Sequence, residues 1–582
     1  MNIKKIRSKL FPSTNELKTS LRTFSFREWL IFGALGSILI GSTITILGIL
    51  NNSLLIEIPI RGGTFTEGVI GTPRFVNPVL GTSDADKDLI SLVYSGLMKK
   101  TTSGDLVTDI ASEYEISEDG LSYTFIINSD AKFHDGKQVS SDDVIFTIEK
   151  IKDPITKSPK AVTWQGVTVE KIDEQTVIFK LRQRFSSFLD NTTIGILPAH
   201  IWNKFSIEEF TLSEKNIKAI GSGPYEIDDV KKDSSGVPFL FELTNFKDYL
   251  PNRAYIEKIN LRFLKNEDEV YKYYKNGKID MAGSISPNTA SKLKENGHEI
   301  KNATLPRIFG LFLNKNEQPL LGDVNVVRAL ELSINKQAIL DNIFYGYAEE
   351  IESPLPKIHG LKNRTNENIF SLETAIDLLE KNGWEKDKSG IFTKESTKKG
   401  EESKRLSFSI TTSDIPEIKS VAEMIQSDFQ KLGAEVELKV FEMGTLNQNV
   451  IRGRKYDALF FGQIINHPTD LFAFWHSSQR NDPGLNIALY TNPRVDNALE
   501  DASGTLDIEK QKNFYGIFEK ELTGDHPAIF VYSPDFIYAV SKKIKGLELN
   551  TINEQKDRFT DVSLWYIKTE KVWPFFTSLI RE

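Results

Sequence analysis

Apolar and polar positions change period several times along the chain, and each change predicts an element. Tyr123, Phe125 and Ile127 alternate with other residues after an Asp119-Gly120 turn, which predicts a hairpin strand. Ser140-Ser141-Asp142-Asp143 then reads as the start of a helix carrying Val144, Ile145, Ile148 and Ile151. Val177, Phe179 and Leu181 form a further alternating strand. One amphipathic helix is predicted through Val327, Leu330, Ile334 and Ala338, and another through Ala375, Ile376, Leu378 and Leu379, stopped by Asn382-Gly383. Ile418, Val421, Ile425, Phe429 and Leu432 share one helical face that Gly433 ends; Val436, Leu438 and Val440 alternate as a half-buried strand; Ala458 to Phe461 is a short apolar run. Strand and helix in this alternation imply an α/β architecture with parallel pairing. Lys231–Pro238 and Lys394–Lys404 read as surface loops.

The longest apolar run stands apart. Trp29–Leu50 carries no charge and as a helix would reach about 33 Å, enough to cross a hydrocarbon core of about 30 Å. Lys4, Lys5, Arg7, Lys9, Lys18, Arg22 and Arg27 precede it against Glu16 and Glu28, and Glu57 follows it before the first basic residue, Arg61. The positive-inside rule then expects residues 1–28 in the cytoplasm, an anchor over 29–50 and everything later outside, a single-pass protein of the cytoplasmic membrane. A cleaved signal peptide is the competing reading; the run is long for one and no A-x-A site follows.

Composition narrows the chemistry. The 582 residues include no cysteine, which excludes disulfides, thiolate metal sites, a cysteine nucleophile and lipid attachment through an N-terminal cysteine. The net charge of -8 and the lack of a long basic run after residue 30 argue against nucleic acid as a partner. The seven histidines, His134, His200, His298, His359, His467, His476 and His526, form no H-E-x-x-H or other paired site, so no metal or cofactor is expected. Neither a G-x-S-x-G elbow nor a P-loop occurs, and the glycines of Gly221-Ser222-Gly223 precede Pro224-Tyr225 where a dinucleotide fingerprint would have a helix. Without a nucleophile, base and orienting group together, the chain reads as non-enzymatic. His134 is expected to be structural, and Leu459–Trp475, where an apolar strand runs into a loop with Gln463, Asn466 and His467, is the segment most suited to a ligand.

Several segments carry a resemblance. SEDGLSYTFIINSDAKFHDGKQVSSDDVIFTIEK, residues 117–150, resembles the signature region of the family 5 extracellular solute-binding proteins, the oligopeptide, dipeptide and nickel binding components of ABC importers. Asn77-Pro78, Tyr94-Ser95-Gly96-Leu97 (Ser95 replacing the usual Glu), Gly221–Tyr225, Asn314 with Asp323 and Val327–Leu330, Tyr490–Asp496 and Asp525–Pro527 resemble further elements of that family in order, over roughly residues 60 to 540. The resemblance implies a two-lobed, periplasmic-binding-protein-like (type II) α/β fold with an inserted subdomain. By that pattern 61–100, 221–310 and 531–582 form lobe I, 101–220 the inserted subdomain and 311–530 lobe II. Ligand contacts are expected from Asn77, Phe309, Asn314, Phe461, Gln463, Asn466, Trp475 and Tyr490. Peptide-binding members commonly pair the ligand's amino group with an Asp in a GW-x-x-D-Y-x-x-P loop; alignment on Pro468 puts Phe461 at the Trp and Ile464 at the Asp. Another acid then serves, or the amine stays in water, or the ligand lacks a free amine, because a buried unpartnered ammonium costs several kcal/mol. The expected partners are a peptide or small solute and ABC permease subunits. The alternatives are an anchored peptide-sensing receptor with a partner protein and, less supported, a cell-wall-peptide hydrolase.

Overall fold

The computed structural model describes residues 18–19, 22–184, 187–250, 253–355, 370–395, 403–505, 507–550 and 552–576. Lys4, Lys5, Arg7, Lys9, Glu16, His359 and most of the 394–404 loop lie outside the described residues. Two units are distinguished, residues 1–60 with 568–582 and residues 61–567. The first holds helix α1, Phe26–Leu54, none of whose residues is buried, and strand Ile56–Ile60 paired antiparallel with Lys568–Val572. α1 extends beyond the predicted 29–50 run because Ser25 and Glu28 form a capping box before it. Within this unit the pairing runs from Ile56 against Val572 to Ile60 against Lys568.

The second unit is organised by a twelve-stranded mixed sheet. Its strands are β1 (Thr64–Ile70), β2 (Tyr225–Lys232), β3 (Pro238–Asn245), β4 (Lys258–Leu264), β5 (Met281–Gly283), β6 (Glu299–Thr304), β7 (Arg307–Leu313), β8 (Ala348–Glu350), β9 (Ser407–Ser413), β10 (Glu435–Phe441), β11 (Ala458–Ile464) and β12 (Ala528–Val540). The order is β10-β9-β11-β7-β12-β5-β1-β4-β3-β2, with β6 and β8 also on β12. β12 joins two halves: Ala528–Tyr532 pairs with β7, and Asp535–Val540 pairs with β6. The chain crosses between the halves at two places, Leu305-Pro306 and the middle of β12. The crossings are tied together by Leu305 N–H donating to Pro534 O at 3.0 Å and Ser533 Oγ donating to Leu305 O at 2.7 Å. Sheet partners thus change a few residues away from the expected 310 and 530 boundaries. Three of the four apolar cores of the described residues divide along the same line. One extends from Phe65 to Leu305 and resumes at Phe536; two others lie between Ile308 and Tyr532. The fourth, built on Leu264, Val270, Ile279 and Ile537, takes in Tyr347 from the other half.

Local sequence accounts for the elements. Pro416 starts helix α5 (Pro416–Leu432), Gly433 ends it at φ 112°, and the predicted apolar face is buried; the helix connects the parallel neighbours β9 and β10. α2 (Asp84–Val93) and α3 (Ser141–Lys152) each begin at a serine with an acidic residue at the third position, Asp86 and Asp143. The helix predicted through Val327 and Ala338 is instead two, Val324–Ser333 and Lys336–Asn342, because Asn335 caps a new start with its side chain on Ala338 N. Residues 111–181 form their own four-stranded antiparallel sheet. The 231–238 loop is tighter than expected, since Lys231-Lys232 and Pro238 belong to β2 and β3.

Candidate functional site

A cavity of about 470 Å³ lies within the second unit, walled by three groups of residues. The first follows α2: Tyr94, Ser95 and Gly96, then Lys99 and Asp109. Burial raises the Asp109 carboxyl above the ordinary carboxylate range; Lys99 at 3.3 Å and bonds from Ser95 and Gly96 only partly offset it. Burial likewise raises the neighbouring Tyr249 hydroxyl, whose ring lies 5.9 Å from Lys99 Nζ. The second group sits on the short helix α4 (Phe188–Asn191), where Asp190 pairs with Lys100 at 2.8 Å. The third is the stretch Asn553–Thr560, to which the β11–α6 loop (α6, Asp470–Trp475) adds Asn466.

That stretch is held from below. Arg558, fully buried, donates from Nε to Glu67 Oε1 and from both Nη atoms to Asp88, each at 2.7 Å, while Tyr538 O–H donates to Glu67 Oε2 at 2.8 Å. Burial nevertheless raises the Glu67 carboxyl, because one guanidinium serves two carboxylates. With Arg558 fixed inward, its neighbours Lys556, Asp557 and Phe559 line the cavity.

Contacts across the cavity come from one loop. Ser187 Oγ lies 2.9 Å from both His467 Nδ1 and Thr469 Oγ1, His467 Nε2 lies 3.6 Å from Asp190, and Asn553 Nδ2 donates to Asn466 O at 3.2 Å. Asn466 Oδ1 and Asn553 Oδ1 are buried and accept no bond from the described residues. Two acceptors without donors in a cavity wall suit a guest that brings N–H groups.

Of the expected contacts, Asn466 is the one brought to this cavity. Asn77 is fully buried and its amide serves the fold, donating to Asn216 Oδ1 and accepting from Val79 N, both at 2.9 Å. Asn314 is similarly occupied by Arg454 O and Asn316 N. Trp475 is core, its ring packed by Phe312 and Phe530, and Tyr490 is buried with its hydroxyl on Asp525 at 2.6 Å. Phe309 stacks on Tyr532, 4.7 Å between ring centres, and covers Gly462. Phe461 packs against the core of its half, and Gln463 is buried in β11 with no amide partner among the described residues. Ile464, aligned with the usual acid, is 51% exposed. His134 behaves as expected: it accepts from Gly221 N–H at Nδ1 and donates from Nε2 to Gly223 O, and burial pushes its imidazole down to about 4. His476 stacks on Phe472 and bonds Ser478 and Glu500.

Sequence reasoning missed Asp109, Asp190, Asn553 and Lys556. Only their place around the cavity distinguishes them, and Glu554–Arg558 reads in sequence as a solvated charge run. Ser95, already marked as a departure from the family pattern, was the one available pointer, since its hydroxyl reaches Asp109.

A mixed α/β sheet in two halves joined by two crossings, with a polar cavity reached from both, defines a two-lobed solute-binding protein. The family described as bacterial extracellular solute-binding proteins, family 5 Middle, matches residues 105–484, and this chain belongs to that family. It is similar to the oligopeptide-binding protein AppA of Bacillus subtilis, 25% identical over 521 residues, covering 88% of this chain and 93% of the relative. The dipeptide-binding protein of Escherichia coli is 24% identical, with 85% and 93% covered. Among solved structures, NikZ from Campylobacter jejuni in complex with Ni(L-His) superposes with TM-score 0.66 at 27% identity, over 86% of this chain and 99% of that one. These relatives are binding proteins, not enzymes.

Proposed function

We propose that this protein is the membrane-anchored, extracytoplasmic binding component of an ABC-type importer, and that it captures a peptide or related N–H-bearing solute between its lobes. The observation that carries the reading is the polar cavity itself, where Asn466 and Asn553, each with a buried carboxamide oxygen that accepts no bond from the described residues, line the wall with Asp109 and Asp190. A solute's amino group finds its countercharge in Asp109, which compensates for Ile464 at the usual position; Asp190 is already paired with Lys100. The named relatives bind oligopeptides and dipeptides, which supports the same class.

In this reading 61–304 and 535–567 form lobe I with 101–220 inserted, and 307–532 form lobe II. Rotation about Leu305-Pro306 and Ser533-Pro534 opens and closes the cavity. Closure makes the Ser187, Asp190 and Asn553 contacts to the 466–469 loop. α1 is long and apolar enough to span a membrane and holds the protein beside its permease.

Mass spectrometry of solute released from the purified full-length protein tests the reading. A bound peptide is expected, and re-adding it at 100 times its Kd should stabilise the protein by about 2.7 kcal/mol. An empty protein that no peptide or small-solute library stabilises would sink it. Crosslinking to permease subunits, as against a signalling partner, separates the importer from the receptor alternative.

A further inference from the structure

A second chamber of about 500 Å³ adjoins the cavity and shares Tyr94, Asp190 and Lys556 with it. Its lining differs. Ile90, Trp164, Ile194 and the prolines Pro78 and Pro159 give it an apolar wall, and its charged groups gather at one side.

There the charges do not balance. Glu554 is bonded by Lys87 at 2.6 Å and lies 3.5 Å from Lys556, which also holds Asp557 at 2.8 Å. Asp190 is committed to Lys100. Burial opposes ionisation of Glu554, but Lys556 and Lys87 outweigh it and hold its carboxyl below its ordinary range. Every carboxylate on this side thus has its cation. Lys160 has none: its ammonium donates to Pro78 O at 2.6 Å, and no carboxylate among the described residues comes within ion-pair distance. An ammonium has three donors, so two remain. Burial, with Lys556 and Lys87 adding repulsion and Glu554 only partly countering, pushes Lys160 down to about 8. An apolar wall beside an uncompensated cation suits an anion carried on an apolar body.

We infer that this side chamber is a subsite for an apolar group ending in a carboxylate, with Lys160 as its charge partner. The inference rests on the solute-binding reading and names which solutes it favours: those whose acidic end carries an aromatic or aliphatic group.

The test needs no knowledge of the natural solute. 3-Phenylpropionate and its neutral amide are titrated by calorimetry into the full chain in detergent, wild type and Lys160→Met. The acid should bind wild type about tenfold more tightly than the amide, and K160M should erase that preference, as loss of a charge-assisted hydrogen bond requires. Raising the pH through about 8 should weaken the acid's binding to wild type and leave the amide unaffected, because Lys160 then loses its proton. Equal affinity of acid and amide, an unchanged preference in K160M, or no binding of the acid to wild type would each overturn the subsite. Should K160M fail to fold, the wild-type pH series decides alone. Absence of any co-purified solute would instead undo the broader reading and leave the fragment result standing.

Discussion

His134 links two stretches almost ninety residues apart, the turn after Phe133 and the Gly221–Gly223 strand start, by holding one proton on Nε2 and offering Nδ1 as an acceptor. That arrangement works only for the neutral ring. Its folded value, about 4, lies below the ordinary 6.5. Between the two the unfolded chain takes up a proton that the folded chain refuses. Stability from this group is therefore full above about pH 6.5 and falls as the pH drops towards 4, by roughly 2–3 kcal/mol for a half-buried ring. Urea melts of wild type and His134→Gln over that range should show the loss in wild type and a flatter profile in the variant. A wild-type midpoint that does not move would refute this account. Asp109 gives the second prediction at this scale. Asp109→Asn keeps the shape of the cavity wall and removes the charge, so the protein should release most of its co-purified solute while melting within a few degrees of wild type. Full retention would remove Asp109 as a solute contact. The motif around His134 could be read without a structure because its partners are backbone atoms of another motif. The weakened acidity of Asp109 could not, because it arises from burial.

Two elements owe their positions to contacts that leave little freedom. Gly223 packs so closely on the end of α2 that a Cβ would lie 2.6 Å from Leu92 O, and at Gly221 an added Cβ would overlap Val93 O. Gly221→Ala should therefore cost at least about 1–3 kcal/mol, since backbone rather than a flexible side chain must yield. The stretch from 553 to 560 is held by Arg558 between Glu67 and Asp88. Arg558→Met leaves two buried carboxylates without their cation and should destabilise by about 3–5 kcal/mol, read as a fall in melting temperature together with loss of solute. A variant as stable as wild type would show that the buried cluster does not hold this wall. The strands and helices themselves were largely legible, as α5 with Gly433 illustrates; in β10 the expected alternation holds at Val436 and Leu438 but not at Val440, which is exposed. The break at Asn335 was not, because the apolar spacing runs on across it and only the side-chain cap on Ala338 N ends one helix and starts another.

For the whole molecule, motion about the two crossings is what the proposed capture requires. A chain without cysteines allows spin labels at chosen sites, such as the exposed pair Glu174→Cys and Arg480→Cys, one in each proposed lobe. The distance distribution measured by electron resonance should narrow and shift when the co-purified solute is restored. An identical distribution with and without it would argue against closure about Leu305-Pro306 and Ser533-Pro534. Fractionation belongs at this scale as well: the full chain should sediment with membranes and resist carbonate extraction, and a soluble mature protein would instead mean that α1 is removed as a signal sequence.

Periodicity, glycine stops, serine caps and the motif series by themselves determined the α/β class, the family and the presence of one unbroken apolar helix. Each of these is written in local spacing or in residues that neighbour one another along the chain. Only the tertiary structure decided which polar groups face the cavity. Asp109, Asp190, Asn466, Asn553 and Lys556 come together from distant parts of the chain, while Asn77 and Asn314, equally polar in sequence, are spent on hydrogen bonds inside the fold. A side chain's role depends on whether its partners are water, backbone or a guest, and that is set by burial and by what folds against it.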